Sequence, residues 1–324
     1  MKLLEYILTE LLKQGLKRIV THTESISKHI WDNASVEGFS VTKICDERAM
    51  GYVAVGMYGE SEQPIAIIVE ESKLRNLSPA ITEAYYRKIP LIVIFLEDRH
   101  LNNIQYPKDM FKVVYNVDAV DIQKRLNIVQ EVIVTSNQNG GTPVLLGVKD
   151  YNQNISLPLL YERKSEVATY ILPKTCNYLD KVTQILNCFD ASNVCFFIDS
   201  KLMCDALLQY KIEGCIEYNK GLLSQEGLLS IMVGASVVAP NKCFVYIGMV
   251  SSVMYDINSL GNRHILGNIC ICLLSDKRKD LDTIKLTCET WNYDVCSAST
   301  EHLQILAGKY INSKVANPSI IEIL

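Results

Sequence analysis

Short, almost continuously apolar segments alternate with helical patterns along this chain. In the first half, the segments with strand character run from Arg18 to Thr21, Ser40 to Cys45, Ile65 to Val69, Leu91 to Leu96, and Val144 to Val148. Strands that are apolar throughout and separated by helices are typical of parallel sheets covered on both faces. The alternation therefore predicts an α/β fold of three-layer α/β/α domains with mainly parallel sheets.

The same alternation restarts in the second half, after a polar segment that contains Pro158 and Pro173. The later strand candidates run from Val194 to Ile198, Cys215 to Tyr218, Cys243 to Ile247, Ile269 to Leu274, and Ile320 to Leu324. The pattern predicts a first domain at 1–155, a linker at 156–175 and a second domain at 176–324. Two halves of similar order also suggest an internal duplication.

Composition excludes several classes of function. The 324 residues are 48% hydrophobic and 21% charged with a net charge of −4, and the longest basic run, residues 277–279, is short, so we expect no nucleic-acid partner. No apolar run reaches the roughly 18 residues that span a bilayer, and Met1 to Gly15 lacks the features of a signal peptide, so we expect a cytoplasmic protein and no membrane partner.

The chain contains 11 cysteines, an odd number with scattered spacing. Zinc sites usually combine C-x₂-C or paired histidines into four converging ligands, and the sequence has no such spacing. We expect reduced, buried, structural thiols and no metal centre built from them.

The sequence Asp46-Glu47-Arg48 follows a strand candidate and opens a predicted helix. Small residues follow at Ala49, Gly51, Ala54 and Gly56, which allow close packing behind the helix start. A carboxylate in such a position is held partly desolvated, as suits a glutamate that exchanges a proton with a bound heterocycle. The alternative is a structural role for Glu47 at an interface between subunits.

Ligands of parallel α/β sheets bind at the carboxyl ends of the strands. Polar residues occupy those positions at Thr21 to Ser25, Asp46-Glu47, Glu70 to Ser72, Asp199-Ser200, Gly248 to Ser252, and Ser275-Asp276. We interpret His22, Glu24 and Ser25 as candidate substrate-binding residues, with a solvated loop as the alternative. Ser224 is a candidate helix N-cap or phosphate ligand.

Several of these motifs together resemble thiamine-diphosphate (ThDP) enzymes, and most closely the SEPHCHC synthases. The first half matches at Asp46-Glu47-Arg48, Pro79-Ala80, Glu83-Ala84 and Asp98-Arg99. In the second half, the sequence 219–227 is similar to NRGASGIDG and the sequence 255–260 is similar to YDLNAL. The middle domain of that family is absent, which leaves the two-domain layout of sulfopyruvate and phosphonopyruvate decarboxylases.

The resemblance implies a pyrimidine-binding first domain and a diphosphate-binding second domain. Glu47 would be the catalytic acid that protonates the aminopyrimidine of ThDP across a dimer interface. The positions that would contact the cofactor are Glu71, Ser72, Asn219, Gly221, Ser224, Gly248, Ser251, Asp276 and Lys277. An active protein would be a decarboxylase or carboligase acting on a 2-oxo acid.

The sequence departs from the family where Mg²⁺ should bind. Met249, or Val250 after a shift of one residue, stands in place of the metal-binding aspartate, and Lys277 replaces an asparagine ligand. Neither Met249 nor Val250 offers a hard oxygen, so we expect binding of ThDP and Mg²⁺ to be lost or weak. Lys277 could instead neutralise a diphosphate without metal.

Three acidic residues (Glu24, Glu70, Glu71) lie near the predicted strand ends of the first domain. They predict an acidic mouth, meaning a negatively charged entrance to the site, which disfavours anionic ligands.

Three functions remain open from the sequence. The chain is an active ThDP-dependent lyase or carboligase, a pseudoenzyme or lending subunit paired with an intact ThDP-type chain, or a fold reused for another ligand between the domains. The second and third functions agree better with the altered metal-binding motif than the first function does. The resemblance implies at least a homodimer, or a homotetramer, with a heteromer as the alternative, and a role in a biosynthetic pathway.

Overall fold

The computed structural model describes residues 2–23, 38–97, 111, 113–124, 127–138, 141–149, 151, 179–189, 194–199, 215–219, 226–261, 265, 267–274, 278–312 and 317–323. The chain divides into two compact units, Met1–Thr169 and Tyr170–Leu324. In the described residues, the helices are too short or too polar to cross a lipid bilayer.

The first unit contains one six-stranded parallel sheet in the order β2-β1-β3-β4-β6-β5. Its strands are β1 (Arg18–His22), β2 (Ser40–Ile44), β3 (Ile65–Glu70), β4 (Leu91–Leu96), β5 (Val114–Val117) and β6 (Val144–Val148). Its helices are α1 (Leu3–Lys13), α2 (Glu47–Ser61), α3 (Ser78–Arg87), α4 (Ala119–Lys124) and α5 (Ile128–Asn137), with a 3₁₀ helix at Glu71–Leu77. The central strands β4 and β6 are buried along their whole length, which explains their unbroken apolar sequence.

The second unit contains a second six-stranded parallel sheet in the order β11-β12-β10-β9-β7-β8. Its strands are β7 (Val194–Ile198), β8 (Cys215–Glu217), β9 (Cys243–Met249), β10 (Ile269–Leu274), β11 (Asp294–Ala298) and β12 (Ser319–Ile323). Its helices are α6 (Leu179–Cys188), α7 (Leu228–Val238), α8 (Val250–Leu260), α9 (Arg278–Thr290) and α10 (Thr300–Asn312). The fold-class prediction of parallel α/β domains is confirmed.

The two sheets have the same topology, because the second order read backwards is the first order with six added to each strand number. The registers agree as well: Thr21 lies opposite Ile68, and Ile198 lies opposite Ile247. His22 follows Thr21 and Asp199 follows Ile198, so His22 and Asp199 occupy equivalent positions in the two units. This agreement supports the suggested duplication.

Some elements differ from the sequence-based expectation. Strands β5 and β11 were not among the strand candidates from the sequence. Residues 248–252, expected at a ligand-binding strand end, are the end of β9 and the start of α8 with no loop between them. The described cysteines are free as expected, but Cys45 and Cys215 are exposed, so the expectation that all are buried is wrong for those two.

Candidate active site

The first unit brings three titratable side chains together at the carboxyl edge of its sheet. His22 is the last residue of β1, Glu47 opens α2 directly after β2, and Lys73 lies in the 3₁₀ helix that follows β3. Because β2, β1 and β3 are adjacent and parallel, their carboxyl ends meet at one edge. The topology of the sheet therefore places residues separated by about 25 positions in the sequence side by side.

Asp46 fixes where α2 begins. Its backbone is extended, and its Oδ1 accepts a hydrogen bond of 2.8 Å from the Ala49 N–H, which satisfies one of the amides that a helix start leaves open. Glu47 follows as the first helical residue, where the helix dipole favours a negative charge. The cap thus holds the Glu47 side chain at the edge of the sheet.

Close packing behind Glu47 requires glycine at position 51. A Cβ atom added to Gly51 would lie 2.5 Å from the Cβ of Ala80 and 3.2 Å from Cδ2 of Leu77. Both distances are shorter than ordinary van der Waals contact, so α2 and α3 approach each other more closely than any larger residue permits. The small residues noted in the sequence thus serve the packing that supports the site.

Lys73 is the centre of a cluster that we call the Glu47–Lys73–His22 cluster. The Lys73 Nζ atom lies 3.0 Å from Glu47 Oε1 and 3.3 Å from His22 Nδ1. The His22 Nε2 atom lies 3.0 Å from the Cys45 carbonyl oxygen and 3.5 Å from Glu47 Oε1. The side chains are 27% exposed at Lys73, 17% at Glu47 and 8% at His22, so the lysine is the most accessible member.

These contacts identify the tautomer of His22. The carbonyl of Cys45 only accepts, so Nε2 carries the proton and donates to it. The ammonium group of Lys73 only donates, so Nδ1 accepts from it. The imidazole is therefore held between a backbone carbonyl and a lysine.

The pKa of Glu47 is lowered from its ordinary value. Burial alone would raise it, but the hydrogen bond from Lys73, a backbone hydrogen bond and the positive charge nearby outweigh burial. The partly desolvated glutamate expected from the sequence is present, but it is a carboxylate paired with a lysine rather than a carboxyl group ready to donate a proton.

In the second unit, the equivalent edge carries a buried aspartate. Asp199, directly after β7, is 9% exposed, and its Oδ2 accepts a hydrogen bond of 3.0 Å from the Met249 N–H. Gly248 makes this contact possible, because a Cβ there would lie 2.6 Å from Asp199 Cβ and 2.8 Å from the Tyr246 hydroxyl oxygen. The candidate role of Gly248 in cofactor binding thus has a packing explanation.

Burial raises the pKa of Asp199 to about 6, although the nearby Ser252 hydroxyl, the Met249 N–H and the Tyr246 hydroxyl partly offset the effect. Within the described residues, neither Asp199 Oδ1 nor Ser252 Oγ has a hydrogen-bond partner. Burial, with the charges of Asp199 and Asp256, also raises the pKa of Tyr246 far above its ordinary value. This edge therefore disfavours a negative charge on Asp199.

The described residues offer no metal centre, since no three His, Cys, Asp or Glu side chains among them converge. Met249 caps α8 through its backbone alone and Val250 is the first residue of the helix, so neither supplies a hard oxygen ligand at this edge.

The remaining candidate residues lie on several elements of the two units. Glu71 and Ser72 begin the 3₁₀ helix, where Ser72 is exposed, and Ser251 is exposed on the first turn of α8. Asn219 is buried, and its Nδ2 donates a hydrogen bond of 2.7 Å to the Glu226 carbonyl oxygen. Predictions for Glu24, Ser25, Gly221, Ser224, Asp276 and Lys277 lie outside the described residues.

Sequence reasoning did not assign a role to Lys73 or Asp199, although Asp199 lies in a segment recognised as a strand end and Lys73 directly follows another. The prediction of an acidic mouth ignored Lys73, whose positive charge lies next to the Glu47 carboxylate. The sequence alone does not pair Lys73 with Glu47, because β1 lies between β2 and β3 in the sheet and this order is not specified by the sequence.

Comparison with known proteins confirms the resemblance to ThDP enzymes. Residues 1–111 match the family described as "Thiamine pyrophosphate enzyme, N-terminal TPP binding domain". A 90-residue segment is 38% identical to the 2-succinyl-5-enolpyruvyl-6-hydroxy-3-cyclohexene-1-carboxylate synthase (SEPHCHC synthase) of Phocaeicola vulgatus, covering 27% of this chain and 16% of that enzyme. An 82-residue segment is 37% identical to the same enzyme of Vibrio parahaemolyticus, covering 25% of this chain and 14% of that enzyme. The sequence match thus spans a small part of these relatives.

Solved structures of ThDP enzymes share the fold over almost the whole chain. The ThDP-dependent 4-hydroxybenzoylformate decarboxylase of Rhodococcus jostii RHA1 aligns with a TM-score of 0.74 and 10% identity, covering 99% of this chain and 98% of that chain. A putative thiamin diphosphate-dependent enzyme of Mycobacterium smegmatis aligns with a TM-score of 0.76 and 9% identity, covering 100% of this chain and 99% of that chain. At such low identity, these matches establish the fold alone.

Proposed function

We propose that this chain is a divergent ThDP-enzyme-like protein that does not hold Mg²⁺-ThDP with its own residues. It would act in a biosynthetic pathway, either as an enzyme with altered chemistry or as a subunit. Its sequence similarity to SEPHCHC synthases and its match to the family of N-terminal TPP-binding domains support the ancestry. The proposed loss of cofactor binding is supported separately by each unit.

The segment from Gly248 to Ser252 carries the proposal. A diphosphate-bound Mg²⁺ requires oxygen ligands, and this segment offers a thioether, an aliphatic side chain and two hydroxyls. Asp199 is a poor substitute, because its Oδ2 is engaged by the Met249 N–H and its raised pKa leaves it partly protonated near pH 6. These residues do not fit the metal.

The first unit supports the proposal through Glu47. A carboxyl group that donates a proton to a heterocycle needs a pKa near or above the ordinary range, and the pKa of Glu47 is lowered. Its Oε1 also contacts Lys73. The cluster as it stands does not fit an aminopyrimidine, so we derive no catalytic step through ThDP.

A thermal-shift titration with ThDP and Mg²⁺ tests the proposal. A ligand that binds only the folded state adds about 2.7 kcal/mol of stability at 100 times its Kd, so binding would raise the melting temperature clearly. We expect no shift up to about millimolar ThDP, where even a Kd of about 10 μM would give that stabilisation. A shift that requires Mg²⁺ and is lost in Glu47→Gln would instead support an active ThDP-dependent lyase or carboligase.

A second candidate function is that of a partner subunit for an intact ThDP-type chain. The retention of Glu47 at a capped helix start favours it, because a lending subunit needs only this residue. Native mass spectrometry distinguishes the assemblies: a homodimer or homotetramer is expected if the chain acts alone. A stable complex with an intact ThDP-type subunit, dependent on Glu47 for turnover, would favour the heteromer.

A further inference from the structure

Lys73 reaches Glu47 from a different element of the fold. It lies on the 3₁₀ helix after β3, whereas Glu47 lies on α2 after β2, and β1 separates the two strands in the sheet. The pair is therefore not one of the i, i+4 contacts that helices form by default on their surfaces. The topology of the sheet, together with a lysine at this position, creates the contact.

The geometry makes Lys73 a competitor for any ligand of Glu47. Its ammonium group lies 3.0 Å from Oε1, one of the two oxygens whose proton a neutral heterocycle would have to share. Its contact with His22 Nδ1 at 3.3 Å adds a second acceptor and holds it there. A ligand that binds Oε1 must therefore compete with this cation.

The partial burial of the cluster strengthens the competition. The Glu47 side chain is 17% exposed and that of His22 is 8% exposed, so water screens this ion pair less than a surface pair. A neutral base such as an aminopyrimidine gains its contact with a carboxyl group by sharing a proton. An ion-paired carboxylate has no proton to share.

We infer that Lys73 is the specificity-determining residue of this site. Its ammonium group forms an ion pair with the Glu47 carboxylate and thereby excludes neutral nitrogen heterocycles that an unpaired glutamate would bind. The inference deepens the proposed function and rests on it, because it names the side chain that prevents an aminopyrimidine from binding to Glu47 in the first unit. Lys73 is not a catalytic residue here. It sets which ligands Glu47 can accept.

Binding of 4-amino-2-methylpyrimidine to the full chain tests the inference. This neutral probe lacks the diphosphate, so its binding does not depend on the metal side of the protein. In Lys73→Met, which retains the length of the side chain but not the charge, we expect the affinity to rise at least about tenfold, as loss of a charged competitor worth about 1.4 kcal/mol allows. Lys73→Arg retains the cation and should bind the probe as weakly as the original protein.

A second measurement determines the pKa of the Glu47 carboxyl group directly. NMR titration of the Glu47 side-chain carbon should show the pKa rising in Lys73→Met and remaining low in Lys73→Arg. Adding Glu47→Gln to Lys73→Met should abolish the gain in probe binding. If Lys73→Met does not fold, Lys73→Gln serves for both measurements.

Equal probe affinity in the original protein and in the variants that lack the cation, or an unchanged Glu47 pKa, would overturn the inference. That failure is distinguishable from failure of the proposed function. Binding of Mg²⁺-ThDP to the unaltered chain would overturn the proposed function, whereas the probe experiment compares only what happens when Lys73 is removed.

Discussion

Replacing Asp199 by asparagine is expected to stabilise the second unit above pH 6. Burial is the main reason that the pKa of this carboxyl rises from 3.8 to about 6, so the folded protein holds its ionised form at a cost. Asparagine has the same shape, carries no charge and retains an oxygen that can accept from the Met249 N–H. The substitution therefore removes the cost and retains the hydrogen bond.

The size of the expected stabilisation follows from the shift in the pKa of Asp199. A difference of about two pKa units at about 1.4 kcal/mol each corresponds to roughly 3 kcal/mol of unfolding free energy. Because the folded-state pKa is raised, the contribution of Asp199 to stability is fully present below pH 3.8 and is lost as the pH rises through about 6. The advantage of Asp199→Asn should therefore be near zero at pH 4 and approach its full value by pH 8.

Urea unfolding from pH 4 to pH 8 measures this advantage. The fluorescence of Trp291, in a Trp31→Phe background, reports on the second unit. Asp282→Asn, on the exposed face of α9, serves as a matched control and should change stability by less than about 0.5 kcal/mol at every pH. An advantage of Asp199→Asn that does not grow with pH, or a destabilised variant at pH 8, would refute the reasoning.

Three further perturbations test the first unit by urea unfolding. Gly51→Ala should lower the unfolding free energy by about 1–3 kcal/mol because its Cβ has no room, whereas Gly59→Ala in the same helix, with nothing within 4 Å, should raise it by up to about 1 kcal/mol; equal effects would contradict the packing argument. Asp46→Ala should cost about 0.5–2 kcal/mol through loss of the helix cap, and Asp46→Ser should restore most of it. The pair of Glu47→Gln and Lys73→Met should show a coupling of about 1 kcal/mol at pH 7. Because the pKa of Glu47 is lowered, the coupling should fade as the pH drops through that lowered value, and a pH-independent coupling would count against the ion pair.

The sequence predicted most of the fold because strand and core signals are local. Uninterrupted apolar runs such as Leu91–Leu96 correspond to fully buried strands. Weaker signals failed: β5 (Val114–Val117) is half-buried and short, so it lacked the apolar run that identifies a strand. The direct passage from Met249 into α8 was also missed, because the family resemblance led us to interpret this segment only as an altered metal-binding motif at a strand end.

The candidate site was only partly predictable, since it depends on contacts between distant segments. The position of Glu47 at the start of a helix follows from the Asp46 cap and the small residues behind it. Its pairing with Lys73 follows from the order of three strands, which the sequence does not specify. The electrostatic consequence, a lowered rather than raised pKa, therefore needed the structure.

Equilibrium dialysis of the full chain against ThDP with Mg²⁺ tests the central claim most directly. The altered metal segment and the paired Glu47 lead us to expect no bound ThDP at about 1 mM ligand, with or without Mg²⁺. Stoichiometric ThDP that is retained in the presence of Mg²⁺ and released by a chelator would contradict the claim, because it would show a functional cofactor site in this chain.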